Sequence, residues 1–181
     1  MLRTLSAMVL GLALTAGSAP ASSEGKNLQL FNEVAKAVNN YSRYTIFDDI
    51  NIGVKDGVVT LSGKVTSPLK REELKKRIAK LDNVSQVRDE LSVLPLSPTD
   101  DQLRYRVARA IYGNENLGIY AQQLPGPIHI IVENGNVTLT GVVANEMDRI
   151  LAGSAAHQFP AFSVTNKLKT DAEVQSERER L

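Results

Sequence analysis

The apolar positions of this chain fall into a pattern that occurs twice. Leu30, Val34 and Val38 recur at helical spacing beside Ala35, and Leu103, Val107 and Ile111 do so beside Ala108. Such spacing puts one buried stripe on a helix. Strict alternation follows in each copy: Ile50, Ile52, Val54, then Val59, Leu61, Val65; and Ile128, Ile130, Val132, then Val137, Leu139, Val143. A period of two predicts strands that lay one face on a core. Asp56-Gly57 and Asn134-Gly135 separate the two runs, and these dipeptides favour the positive φ angles of a tight hairpin. Helical spacing returns at Leu74, Ile78 and Leu81, after the cap Ser67 and a proline at the first helical position. In the second copy Asn145 is the expected cap and Met147, Ile150 and Leu151 the expected buried face. A last strand carries Val87, Leu91 and Val93, or Val164 and Leu168.

The predicted class is therefore α+β: tandem αββαβ modules, each a three-stranded mixed sheet with two helices on one face. Residues 56–65 and 134–143 are identical at six of ten positions, at an offset of 78. The preceding helices align at an offset of 73, so the second copy carries five extra residues before its first strand. Gly63 and Gly141 fall inside the second strand of each copy, where a missing side chain suggests a bulge or the close approach of a helix. Thr99 and Gln102 have capping-box spacing, with Asp100 and Asp101 at the positive helix end. The expected boundaries are 28–94 for the first module, 95–99 for a stiff linker, 100–170 for the second module and 171–181 for a charged, frayed tail.

Asp56-Gly57-x-Val59-Thr60-Leu61-x-Gly63-x-Val65 with Val84-x-x-Val87-x-Asp89-x-Leu91, and the matching Asn134-Gly135-x-Val137-Thr138-Leu139-x-Gly141-x-Val143 with Val164-x-Asn166-x-Leu168, resemble the BON domain. This is a bacterial module named for osmotically induced periplasmic and nodulation proteins. The resemblance implies an envelope protein with phospholipid binding and a link to osmotic stress. It implies no shared catalytic apparatus, since the recurring residues, Gly57, Gly63, Gly135 and Gly141 among them, are structural.

Residues 1–21 hold one charge, Arg3, then an apolar run from Leu5 to Ala16 and the small-residue site Ala19-Pro20-Ala21. That is the pattern of a cleavable secretion signal, with a run too short to span a bilayer, and it predicts a periplasmic product cut after Ala21. Net charge is +1, which makes no global case for nucleic acid. The chain has no cysteine, which excludes disulfides, thiolate catalysis and a lipid-modified cysteine anchor. His129 and His157 stand apart and predict packing or surface roles, with no metal site and no cofactor. Asp48-Asp49 and Asp100-Asp101 read as capping and solvation, and no nucleophile elbow or phosphate loop is present, so no enzyme is expected.

Two surfaces remain as candidates for contact with anionic phospholipid or an envelope protein. The segment from Lys70 to Lys80 sets Lys70, Arg71, Lys75, Lys76, Arg77 and Lys80 against Glu72 and Glu73. Its basic face suits anionic headgroups, although a short charged helix face is more often only solvated. The longer loop from Tyr112 to Pro127 offers Leu117, Ile119, Tyr120 and Leu124 beside Arg104, Arg106 and Arg109. These residues suit a membrane interface or partner groove, or else plug the gap between modules. The alternative function is a structural or chaperone-like adaptor that binds another envelope protein.

Overall fold

Two hairpins frame the structure, a computed structural model that describes residues 23–123 and 125–179. The expected leader and Leu124 lie outside the described residues. Asp56 (φ 49°) and Gly57 (φ 78°) turn the first hairpin; Asn134 (φ 51°) and Gly135 (φ 75°) turn the second. Consecutive positive φ angles are the signature of the primed turn whose twist matches paired strands.

In the first module the order is α1 (Ser23–Asn39), β1 (Asp49–Lys55), β2 (Val58–Val65), α2 (Pro68–Ile78) and β3 (Gln86–Val93). β1 pairs antiparallel and β3 parallel with the central β2. Leu30, Val34 and Val38 of α1 and Leu74 and Ile78 of α2 close over Val59, Leu61, Val65 and Leu91. The second module runs α3 (Pro98–Tyr112), a short 3-10 helix (Gly118–Gln122), β4 (Ile128–Glu133), β5 (Asn136–Val143), α4 (Glu146–Ala156) and β6 (Ser163–Asn166). Its sheet has the same order with β5 central, and its last strand is broken: β7 (Lys169–Thr170) resumes the pairing with β5. The architecture is the predicted α+β duplication.

Several local expectations change. α3 starts from Ser97, whose hydroxyl accepts from the Asp100 N–H, and not from Thr99. Ser97-Pro98 repeats the Ser67-Pro68 start of α2. Asp100 is released from capping and buried, and its carboxylate accepts the N–H groups of Asn134 and Gly135 at 2.8 and 2.9 Å. Asn27, its counterpart on α1, accepts the Asp56 N–H. A polar residue near the start of the first helix therefore clamps the hairpin turn in both modules. On α4, Met147 and Ile150 are exposed and Leu151 is only half-buried, while Ala152, Gly153, Ala155 and Ala156 are buried. Small residues let this helix lie close against the sheet, with the Asn166 amide against Gly153. The C-terminal run, which has no apolar stripe, forms α5 (Asp171–Glu179), tied back by Arg149–Glu173 and Lys169–Glu177 ion pairs.

The strand glycines serve neither a bulge nor a helix. Ile50↔Gly63 and Ile128↔Gly141 sit in unbroken register. Gly63 (φ 115°) and Gly141 (φ 111°) adopt backbone that L side chains avoid, and a Cβ there would strike the Asp49 or Pro127 carbonyl. Gly141→Ala is predicted to cost about 2 kcal/mol or more of stability, read as a lowered urea midpoint at unchanged slope. A shift within about 0.5 kcal/mol would contradict this account of the glycine.

Candidate functional site

The residues that join the two modules come from the turn between α1 and β1. Asp48 is wholly buried there, and its carboxylate accepts five hydrogen bonds. Thr45 gives its N–H (2.9 Å) and hydroxyl (2.7 Å), Thr66 its N–H (2.8 Å) and hydroxyl (3.0 Å), and Lys70 its ammonium (2.5 Å). A buried carboxylate is tolerated when its lone pairs are met and a cation faces it. Asp48 was expected to be a solvated cap; instead it fixes the turn from which Tyr44, Ile46 and Phe47 project.

Those three residues reach the second module. The Ile46 carbonyl accepts the Ile130 N–H at 2.7 Å, so the turn covers the free edge of β4. Ile46 and Phe47 pack against the second core, and Phe47 meets Tyr105 edge-on at 5.2 Å between ring centroids. The Tyr44 ring stacks on His129 at 5.4 Å, with its hydroxyl 3.4 Å from Nε2. Lys64 of β2 pairs with Glu133 of β4. His129 points away from the core of its own module, as strand alternation requires. Burial holds its pKa below the usual value, although Asp49 and Asp48 pull upward. Burial also raises the Tyr44 pKa, with Asp49 and Asp48 adding to it, so the phenol stays protonated.

The sequence-derived contact residues divide sharply. Lys70 is only 12% exposed and spends its charge on Asp48, while Arg71 pairs with Asp89 at 2.9 Å. Lys75, Lys76 and Arg77 lie exposed on α2, and Lys80 lies exposed just beyond its end. Arg77 sits 5.5 Å from the Tyr41 ring. Glu73 accepts from the Tyr41 hydroxyl and lies 3.9 Å from Arg43; burial, then Glu73, pushes Tyr41 up to about 12.

In the second module Leu117 and Tyr120 belong to the core, not to a surface or the seam. The Tyr120 hydroxyl donates to Asp148 and accepts the Ala144 N–H at 2.8 Å, which anchors the inserted loop internally. Arg104, 4% exposed, pairs with Asp101 and donates to the Val132 carbonyl at 2.6 Å. These three are removed from any surface contact. Ile119 and Arg109 are exposed. Sequence reasoning missed the true seam residues; the signal was the apolar pair Ile46-Phe47 standing between Thr45 and a doubled aspartate.

The BON-domain family model matches residues 32–95 and again 99–172. The chain belongs to the BON-domain family. This family is associated with membrane or phospholipid binding and is non-catalytic, and no enzyme family is indicated. No curated protein matches the chain. Among solved structures it is similar to CdsD, a structural protein of the type III secretion system of Chlamydia trachomatis, at 14% identity and a TM-score of 0.29, over 84% of this chain and 99% of that one. The C-terminal domain of CdsD matches at 12% identity and a TM-score of 0.29, over 79% and 98%. Among the described residues of this BON protein, no helix is long and apolar enough to cross a membrane, and no group of three or more His, Asp or Glu is placed to hold a metal.

His129 makes the seam acid-sensitive. Its folded pKa is depressed below the ordinary 6.5, so the unfolded chain binds the proton more readily and stability falls as pH drops through and below that value. The stability difference between wild type and His129→Gln, followed by urea unfolding from about pH 8 to about pH 5, is expected to shrink on acidification. A difference that holds constant across that range would show that the ring titrates alike in the folded and unfolded chain, so that burial does not lower its pKa.

Proposed function

We propose that this BON protein is a non-enzymatic protein of the bacterial envelope, exported to the periplasm, that holds to anionic phospholipid and serves under osmotic or envelope stress. Export rests on the leader pattern of residues 1–21, and the stress link on the family alone. The observation that carries the lipid reading is the outward side of α2. Lys75, Lys76, Arg77 and Lys80 are exposed together, and Arg43 extends the positive surface beside them. Glu73 is already engaged by Tyr41 and Arg43, which leaves Glu72 as the exposed acid of the helix. Half-exposed Leu69 lies at the start of the same helix. Each such cation contributes about 1 kcal/mol near an anionic surface, and three on the last turn of this helix with Lys80 just beyond it suffice for a reversible contact.

The adaptor reading rests on a different observation. Leu96 and Phe162 are 96% and 88% exposed, and Phe162 borders a groove with Pro160, Leu103 and Arg106. An exposed aromatic beside a groove suits an apolar protein contact.

Salt separates the two readings, because a headgroup contact weakens steeply with ionic strength and an apolar one does not. Full-length protein is expected to co-sediment with phosphatidylglycerol vesicles at low salt. Lys75→Glu with Lys76→Glu should weaken that binding by roughly tenfold or more. No binding at low salt ends the lipid reading; binding unchanged in the double variant removes α2 from it.

A further inference from the structure

The same sheet edge is closed in one module and open in the other. Along β4 the outward backbone groups all find partners. The Tyr112 hydroxyl holds both the N–H and the carbonyl of Ile128, the Ile46 carbonyl takes the Ile130 N–H, and Arg104 donates to the Val132 carbonyl. Ile128, Ile130 and Val132 are each 0% exposed. Their equivalents on β1, at the same steps from the turn, are Ile50, Ile52 and Val54. The hairpin ladder aims the N–H and carbonyl groups of these residues away from β2, and nothing among the described residues bonds them there. Their side chains are only half-buried.

The sequence explains the difference. At the offset of 73, Asn39 stands for Tyr112 and Phe31 for Arg104, and no earlier module lends β1 a shelf. Phe31 is 38% and Leu28 62% exposed on α1, the helix that packs over β1. Folded proteins blunt a bare edge with proline, a bulge or an inward-pointing charge. β1 has none of these and pairs with β2 in unbroken register. The outer strands elsewhere are managed: the Asp89 carboxylate accepts the Leu91 N–H on β3, and the Asn166 side chain accepts that of Leu168 where β6 breaks.

We propose that β1 pairs antiparallel with β1 of a second copy, about a two-fold axis at Ile52, so that the two three-stranded sheets join into one. Only outward-aimed residues can exchange hydrogen bonds across the new edge. This register opposes Ile50 to Val54 and Ile52 to itself, all of them outward. It also sets Asp49 opposite Lys55, and the symmetry repeats that pair. Neither charge holds an ion pair within the chain among the described residues. A two-residue slip loses both pairs, so the register is specified. Leu28 and Phe31 of the two copies then cover the joint from the helix side. Among the described residues the second module makes no hydrogen bond or ion pair with β1; its seam contacts come from the turn before that strand and from Lys64. Both helix layers lie on one side of the joined sheet, so the two α2 basic faces point the same way. That consequence rests on the lipid reading, whereas the dimer does not, and either can fail alone.

Sedimentation velocity of full-length protein is expected to show a monomer–dimer equilibrium between about 1 μM and about 1 mM. Phe31→Arg copies the closure that Arg104 gives the second module, and Lys55→Glu faces Asp49 of the second copy with a like charge. Each is expected to raise the dissociation constant roughly tenfold or more. Both side chains are exposed in the single chain, so the variants keep the fold, which an unchanged urea midpoint verifies. Ile52→Cys reads the register. The chain has no cysteine of its own, and the axis sets residue 52 opposite itself at about 5.5 Å between Cα atoms, a spacing that a disulfide spans. Mild oxidation is expected to give a covalent dimer of Ile52→Cys and to leave Lys55→Cys monomeric. A monomer at every concentration overturns the proposal and leaves the edge to a strand of another protein. A dimer unmoved by both Phe31→Arg and Lys55→Glu, or one that cross-links through Lys55→Cys in preference to Ile52→Cys, overturns it as well.

Discussion

A single buried carboxylate organises this molecule. Asp48 draws Thr45, Thr66 and Lys70 onto its two oxygens and so ties the turn before β1 to the end of β2 and the first turn of α2. An unsatisfied charge in that position would cost several kcal/mol, so all the donors must be in place together. The reward is geometric. A loop that would otherwise wander becomes a rigid shelf, and it presents a backbone carbonyl, an aliphatic side chain and two aromatic rings to the neighbouring module. β4 would otherwise be a free sheet edge, an invitation to pairing with other chains, and the shelf occupies part of it.

The duplication shows how one frame is reused with different chemistry. Asn27 and Asp100 clamp equivalent hairpin turns, one with an amide oxygen and the other with a carboxylate. Arg71 pairs with Asp89 in the first module; in the second the equivalent Asn166 donates instead to the Arg149 backbone carbonyl at 2.8 Å. The Arg149 side chain is thereby free to hold Glu146 and Glu173, and these carboxylates raise its pKa further. Its tie to Glu173 helps retain α5. The second copy also has a tyrosine where the first has Asn39: Tyr112 donates to the Ile128 carbonyl at 2.6 Å and accepts the Ile128 N–H at 3.1 Å, pinning the inserted loop to the strand it precedes. Burial pushes Tyr112 up to about 12, so this donor persists across the physiological range.

The fold was legible because its signals are local. Periodicity, two turn dipeptides and the Ser67-Pro68 start depend on neighbours in the chain, and a duplicated pattern reports each of them twice. Where the reading failed, contacts distant in sequence decided the outcome. Met147 and Ile150 look like a buried face until the small residues of α4 are seen to let the helix approach the sheet more closely than large ones would. Asp48-Asp49 looks like surface until Lys70 and Thr66 arrive from another element. The six cations of 70–80 look alike in sequence, yet two are committed to carboxylates and four face outward. The loop residues Leu117 and Tyr120 were recognised as unusual, but only the folded core shows that they fill the second module. The open edge of β1 shows only beside the closed edge of β4.

The central claim is that the Asp48 shelf docks the two modules into one unit. Amide hydrogen exchange at Ile130 tests it most directly, because the only partner of that N–H among the described residues is the Ile46 carbonyl of the other module. Docked modules predict that Ile130 is protected like the amides of central strand β5 in the wild type, and that Asp48→Ala loses this protection while β5 keeps its own. Rapid exchange of Ile130 in the wild type would mean that the modules are joined by their linker and not by this turn, and protection untouched by Asp48→Ala would mean that the turn docks without the Asp48 carboxylate; either result contradicts the account.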